Sequence, residues 1–168
     1  TYDRLGFNDE GTAITIKLDV FSGKEYVYVT GLSTNASFTL AYATLKYDTA
    51  GNVKWTRINA GGQIPEAIAV DNTGNVYITG QQFSTGTAVF CTVKNDSAAV
   101  FKWTRTYSYG AGSNNTAYDI AIDAAGYIHI SYFGTMSLKY ATNVSGEWIT
   151  AIVDTPEIGD YNSIAVDT

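Results

Sequence analysis

The sequence contains very little cysteine, histidine or proline, and each shortage excludes a class of structure. Its 168 residues include one cysteine, one histidine and two prolines. Cys91 has no partner for an internal disulfide, and its apolar neighbours favour a small buried residue over a nucleophile. The single histidine, His129, excludes zinc or catalytic sites that need several histidines within this chain. Two prolines exclude a proline-rich linker.

Positive charge and long apolar runs are scarce as well. Ten Lys and Arg residues stand against 16 Asp and Glu, which gives a net charge of −6 and a pI near 4.5. This balance argues against nucleic acid and against an anionic membrane surface as partners. No apolar stretch approaches the roughly 20 residues of a membrane-spanning helix, so we predict no membrane insertion.

What the chain does contain is a long internal repeat. Ala67-Ile-Ala-Val-Asp71 returns as Ile120-Ala-Ile-Asp123 and as Ile164-Ala-Val-Asp167, and a degenerate copy, Ile14-Thr-Ile-Lys-Leu-Asp19, opens the series. Three further landmarks follow in a constant order: Tyr28, Tyr77 and His129; then Lys46, Lys94 and Lys139; then Trp55, Trp103 and Trp148. Four landmarks that recur in one order indicate stacked supersecondary units.

Each unit has the pattern of four short strands. Val76-Tyr-Ile-Thr-Gly80 and Tyr127-Ile-His-Ile-Ser-Tyr132 are β-branched and aromatic runs between turn residues. Asp71-Asn-Thr-Gly74 and Asp123-Ala-Ala-Gly126 are typical of hairpin turns. No segment shows a sustained apolar period of 3.6 residues, so we predict no helix.

These features predict an all-β, β-propeller-type array of four-stranded antiparallel blades. The expected divisions of the single array 1–168 are the last strand of a preceding blade at 1–12, three blades at 13–60, 66–110 and 118–155, and the first strand of a following blade at 162–168. A β-sandwich is the alternative, but it does not require the landmarks to recur three times.

The second unit carries a family resemblance. Ala67-Ile-Ala-Val-Asp-Asn-Thr-Gly-Asn-Val-Tyr-Ile-Thr-Gly80, followed by Lys102-Trp-Thr-Arg105, resembles the bacterial β-propeller repeats called SBBP repeats. The first unit matches through Tyr26-Val-Tyr-Val-Thr-Gly31 and Gly51-Asn-Val-Lys-Trp55, and the third is similar to a sister repeat. The resemblance covers nearly the whole chain. It implies an extracellular or cell-surface scaffold or binding module, with no shared catalytic residues to carry over.

The repeat also leads us to expect partners. The chain opens in one strand of a unit and closes in another, and natural propellers usually have 4 to 8 blades. Exposed strand edges invite pairing. We therefore expect either a homo-oligomer, in which copies cover each other's ends, or a segment of a longer chain that supplies further blades.

Two hypotheses for function follow from these observations. The favoured one is a non-catalytic structural or protein-interaction module, without metal or cofactor. The alternative is a carbohydrate-binding propeller whose sites combine a turn aspartate with loop aromatic side chains. Its candidate ligand-binding residues are Asp71, Asp123, Tyr107, Tyr109 and Tyr132, with Phe83 as a further aromatic. The turn aspartates have a simpler interpretation, which is that they accept backbone hydrogen bonds. A propeller enzyme whose catalytic residues lie outside this segment is a distant third.

Overall fold

A computed structural model describes residues 9–34, 37, 39–60, 63–84, 86–108, 114–155 and 161–167. Over these residues the chain is all-β, as predicted, and no helix occurs among them. The strands are β1 (Asp9–Asp19), β2 (Lys24–Thr34), β3 (Leu40–Asp48), β4 (Val53–Ala60), β5 (Gln63–Val70), β6 (Val76–Ser84), β7 (Thr87–Asn95), β8 (Phe101–Tyr107), β9 (Asn115–Ile122), β10 (Ile128–Gly134), β11 (Leu138–Thr142) and β12 (Ile149–Asp154).

The strands form three antiparallel sheets of four strands each, in chain order. The first sheet is β1–β4, the second is β5–β8 and the third is β9–β12. The sheets therefore coincide with the three repeat units. The first sheet begins at Asp9, ahead of the expected boundary at residue 13, and residues 1–8 lie outside the described part of the chain.

Aspartate and glycine define the tight turns between strands. In the β5–β6 turn the Gly74 amide donates to the Asp71 carbonyl at 3.1 Å, and Gly74 has a φ of 80°. A positive φ strains any residue with a Cβ, so glycine is favoured at this position. The Asp123–Gly126 turn repeats the same bond at 3.0 Å.

A bulge near the start of each unit's first strand explains a glycine that recurs in the second strand of the first two sheets. The register shifts between Gly11 and Ala13 in β1 and between Pro65 and Ala67 in β5. The bulged backbone presses against the neighbouring strand, so a Cβ on Gly31 would collide with the Glu10 carbonyl oxygen. Gly80 meets the Ile64 carbonyl oxygen in the same way. The third sheet has the bulge too, but Tyr132 stands where the other sheets have glycine.

The sheets pack through two apolar interfaces. β5 contacts β1, β2 and β3, and β9 contacts β5, β6 and β7. The first interface, between the first and second sheets, has a core of Tyr28, Tyr42, Ile68, Val70, Val76, Ile78, Cys91 and Val93. The second interface, between the second and third sheets, has a core of Ala67, Tyr77, Phe90, Ala117, Ile120, Ile128, Ile130, Tyr132 and Ala141. Each fully buried large apolar side chain of this kind contributes about 1.5–3 kcal/mol.

The third unit departs from the register that the sequence suggested. Lys46 pairs with Tyr28 and Lys94 with Tyr77, but the partner of His129 is Thr142. Lys139 instead pairs with Tyr132, so the proposed equivalence of the three lysines was wrong. The run Leu-Lys-Tyr, which the first and third units share, concealed this shift. Strand pairing depends on which alternate side chains are buried, and a shared run of three residues does not determine it.

The segment 161–167 lies beside the third sheet and is not part of any strand. The Ile164 amide donates to Asp119 Oδ2 at 2.9 Å, and the Tyr161 ring is 5.5 Å from that of Tyr118. Ile164 and Val166 are half-buried while their neighbours are exposed. The segment thus presents alternate apolar side chains to the protein next to β9.

Candidate functional site

The turn aspartates are held by their own turns. Asp71 Oδ1 accepts hydrogen bonds from the Thr73 and Asn75 amides, both at 2.9 Å, and Oδ2 accepts from Asn75 Nδ2 at 2.8 Å and the Tyr77 hydroxyl at 3.1 Å. Burial opposes ionisation of Asp71, but the bonds from Asn75 and Thr73 outweigh it and lower its pKa. This geometry supports the simpler interpretation, in which the carboxylate stabilises the hairpin.

The third sheet replaces the tyrosine of this arrangement with the only histidine. His129 Nε2 lies 3.3 Å from Asp123 Oδ2, and Nδ1 lies 2.6 Å from the Tyr140 hydroxyl. Burial raises the pKa of Asp123, but bonds from the Tyr127 amide and His129 bring it below the ordinary value. The imidazole is therefore oriented at both nitrogens and takes the structural place of Tyr77.

The candidate ligand-binding residues fall into two separate groups. Asp71 and Asp123 are at hairpin turns, whereas the rings of Tyr107 and Tyr132 are 5.8 Å apart in the second interface. Tyr132 lies four residues along β10 from its first residue, which is about 13 Å of strand. Its side chain is fully buried, so it is not a loop aromatic. Tyr109 lies outside the described residues.

Tyr107 and Tyr132 form an aromatic cluster with Phe90. The Phe90 ring is 5.4 Å from Tyr107 and 4.8 Å from Tyr132. The Tyr107 hydroxyl reaches Thr150 Oγ1 at 3.4 Å, which joins β8 to β12 across the interface. Aromatic pairs of this kind contribute about 0.5–1.5 kcal/mol beyond the area they bury.

Beside this cluster the second interface contains a pocket of about 280 Å³. It opens between β7–β8 on one side and β11–β12 on the other. Its lining residues are Phe90, Thr92, Arg105, Thr106, Tyr107, Ala141, Trp148 and Thr150. The sequence analysis missed most of these residues. One feature of the sequence could have indicated the pocket: Ala141 occupies the position that the larger Val93 occupies in the second sheet. This equivalence follows only from the observed register of β11.

The corresponding region of the first interface is filled by polar contacts. Asn59 and Asn95 exchange two side-chain hydrogen bonds, at 3.4 and 3.2 Å, and both are buried. The Tyr42 hydroxyl donates to the Cys91 carbonyl oxygen at 3.4 Å. Burial raises the pKa of the Cys91 thiol to about 12, which agrees with the expected core residue.

The outward side of the first sheet carries a second candidate site. Ile14, Ile16 and Leu18 on β1 are 67, 62 and 49 % exposed. They lie opposite Val29, Val27 and Glu25 of β2 in the antiparallel register. We call the apolar set Ile14, Ile16, Leu18, Val27 and Val29 the open face. Contiguous exposed apolar surface of this kind marks an interaction site more often than a free surface.

The described residues contain no group of three or more His, Cys, Asp or Glu side chains arranged to bind a metal ion. Within the same ranges no helix has the length and apolar character needed to cross a membrane. No protein-family model matches the chain, and no curated protein matches it.

Proposed function

We propose that this chain is a non-catalytic, propeller-type assembly module that binds further sheets of the same kind through its open face. The resemblance of the sequence to SBBP repeats supports this proposal and implies a location outside the cell or at its surface. The observation that carries it is the open face itself, because Ile14, Val27 and Val29 occupy register positions that are buried in both other sheets.

The equivalence can be followed at one position. Ile14, Ile68 and Ile120 occupy the same register position, since they pair in this order with Val29, Ile78 and Ile130 of the next strand. Ile68 is 8 % exposed and Ile120 is 5 % exposed, since each packs against the preceding sheet, whereas Ile14 is 67 % exposed. Burial of Ile14 to the same degree would recover most of the 1.5–3 kcal/mol that such a side chain contributes.

The repeated packing identifies the chemistry of the partner. In each interface the apolar positions contact the opposite side of the preceding sheet, which bears Tyr28 and Tyr42 in the first interface and Tyr77 and Phe90 in the second. The outer side of the third sheet is the next surface of this series. We therefore propose that the open face of one copy docks on the third sheet of a second copy, a head-to-tail contact.

The segment 161–167 lies beside β9 on the surface that an incoming β1 would take. In both interfaces the first strand of one sheet lies against the first strand of the preceding sheet. Removal of residues 161–168 should therefore strengthen association. Pairing through the two terminal segments, 1–12 and 162–168, remains a separate prediction.

Sedimentation velocity over a concentration series tests the proposal. The wild-type chain should associate, and Ile16→Lys should shift it towards the 18.1 kDa monomer. Ile152→Lys is the matched control, because Ile152 is 59 % exposed but lies on the side of the third sheet that faces the second. Circular dichroism checks that both variants remain folded.

A mixture tests the polarity of the contact. Copies with Ile16→Lys and copies with Phe133→Lys, which alters the outer side of the third sheet, should each stay monomeric alone and form a dimer when mixed. A wild-type chain that stays monomeric up to about 1 mM, where about −4 kcal/mol of association would be visible, contradicts the proposal.

A further inference from the structure

We propose that the pocket in the second interface binds one carboxylated sugar ring, such as a uronic acid residue of an acidic polysaccharide. This inference goes beyond the assembly module and uses a different surface. It depends on three features of the pocket: its aromatic walls, a cation at its mouth and hydroxyl groups on its rim.

The walls suit the apolar side of a pyranose ring. Phe90, Tyr107 and Trp148 line the pocket, and its volume of about 280 Å³ is at the lower end of the range for small-molecule sites. The ring stack of Phe90 on Tyr107 fixes the orientation of one wall. A rigid aromatic wall gives dispersion contacts to C–H groups at little cost in side-chain entropy.

Arg105 supplies the cation. Its guanidinium lies 5.7 Å from the centre of the Trp103 ring, and Nη1 donates to the Thr104 carbonyl oxygen at 3.2 Å. None of the ion pairs among the described residues involves Arg105. The side chain is exposed and lines the pocket, so its guanidinium can donate to a ligand there. A guanidinium binds a carboxylate through two parallel hydrogen bonds.

The rim favours a sugar over an aromatic acid. Thr150 is exposed and lines the pocket, and its hydroxyl group lies 3.4 Å from that of Tyr107, which lines the pocket as well. These hydroxyl groups can donate to and accept from the ring hydroxyls of a sugar. An aromatic carboxylate would use the walls and Arg105 but would leave the hydroxyl groups without a ligand partner.

A comparison with the first interface explains why this pocket forms in the second. Val93 faces Ile78 in the second sheet, and Ala141 faces Ile130 at the equivalent position of the third. Alanine lacks the two methyl groups of valine, and Ile149 instead of Trp148 occupies the position of Trp103. Both differences leave space in the second interface. In the first interface the Asn59–Asn95 pair fills the corresponding space.

Saturation-transfer NMR on the full chain, with methyl glucuronide as the probe, tests the inference. Methyl glucoside and benzoate are the comparison ligands. The wild-type chain should bind the glucuronide at least about tenfold more tightly than the neutral glucoside, as one charge-assisted hydrogen bond provides. Benzoate should bind more weakly than the glucuronide.

Three variants localise the effect. Arg105→Gln should remove the preference for the acidic sugar while weak binding of both sugars remains. Ala141→Val should abolish binding of both, because it fills the pocket with a side chain that the second sheet already holds. Arg57→Gln, at the matching position of the first sheet, should change nothing. Equal binding of the neutral sugar, tighter binding of benzoate, or glucuronide binding unaffected by Ala141→Val would overturn the inference.

Discussion

The two interfaces join equivalent sheets but solve the same packing problem differently. The first is closed by a reciprocal asparagine pair and by the Tyr42 hydroxyl. The second replaces these contacts with the cluster of Phe90, Tyr107 and Tyr132 and leaves a pocket beside it. The repeat therefore determines where the sheets meet, while a few side-chain differences determine whether the interface is filled or contains a pocket.

The largest expected effect comes from one residue type at equivalent positions. Ile68→Ala and Ile120→Ala should each lower the free energy of unfolding by about 2–5 kcal/mol, because they leave cavities in the interfaces. Ile14→Ala, on the open face, should cost less than about 0.5 kcal/mol in the monomer. Urea denaturation of dilute samples measures all three. A loss at Ile14 as large as at Ile68 would break the comparison.

The asparagine pair gives the next effect. Asn59→Ala should cost about 1–3 kcal/mol, since it leaves the buried Asn95 amide without its partner. The double variant Asn59→Leu with Asn95→Leu should be closer to the wild type than either single variant, since no polar group then stays unsatisfied. The same denaturation series measures the coupling, and simple additivity would show that the pair is not a unit.

Filling the pocket of the second interface should increase stability, in contrast to the two preceding sets of substitutions. Ala141→Val should raise the free energy of unfolding by about 0.5–2 kcal/mol, the gain typical of cavity filling. The reverse exchange, Val93→Ala, should lower it by a similar or greater amount because the first interface is closed. If Ala141→Val lowers the free energy of unfolding instead, the pocket has no room for the added methyl groups and the comparison fails.

The smallest effect concerns acid. The folded-state pKa of Asp71 is below its model-compound value of 3.8, so its ionised form stabilises the fold above about pH 4. That stabilisation is lost as the pH falls through the folded-state pKa. Asp71→Asn should therefore cost stability at pH 7, and the difference from the wild type should shrink towards pH 2. Thermal melts across this range measure the difference, and a constant gap would exclude the linkage.

The strands and turns were predictable because they follow local rules. Alternating β-branched residues, and Asp-x-x-Gly turns such as Asp71–Gly74, need no information from distant residues. The register of β11 was not predictable in the same way. Leu138-Lys-Tyr140 repeats the letters of the first unit, yet the bulky Tyr132 in β10 takes the place of a glycine. Lys139 pairs with Tyr132, and Thr142 takes the lysine position.

The pocket could not be predicted from the sequence for a related reason. Its lining comes from four strands of two sheets, and its volume results from a side chain that is small, Ala141, and not from a motif. Tyr107 and Tyr132 were predicted as loop aromatics beside the turn aspartates, but both lie in strands, their rings are 5.8 Å apart, and Tyr132 is fully buried. From the sequence alone, an aromatic residue in a strand that lines a pocket cannot be distinguished from one that is buried in the core.

Isoleucine methyl NMR at two protein concentrations tests the central claim, that one packing surface recurs three times and is left open once. In dilute samples a paramagnetic cosolute should broaden the methyl signals of Ile14 and Ile16 and spare those of Ile68 and Ile120. On concentration, Ile14 and Ile16 should shift and become protected, while Ile68 and Ile120 should stay unchanged. Protection of Ile16 in the dilute monomer, or concentration-dependent shifts confined to other isoleucines, would contradict the account.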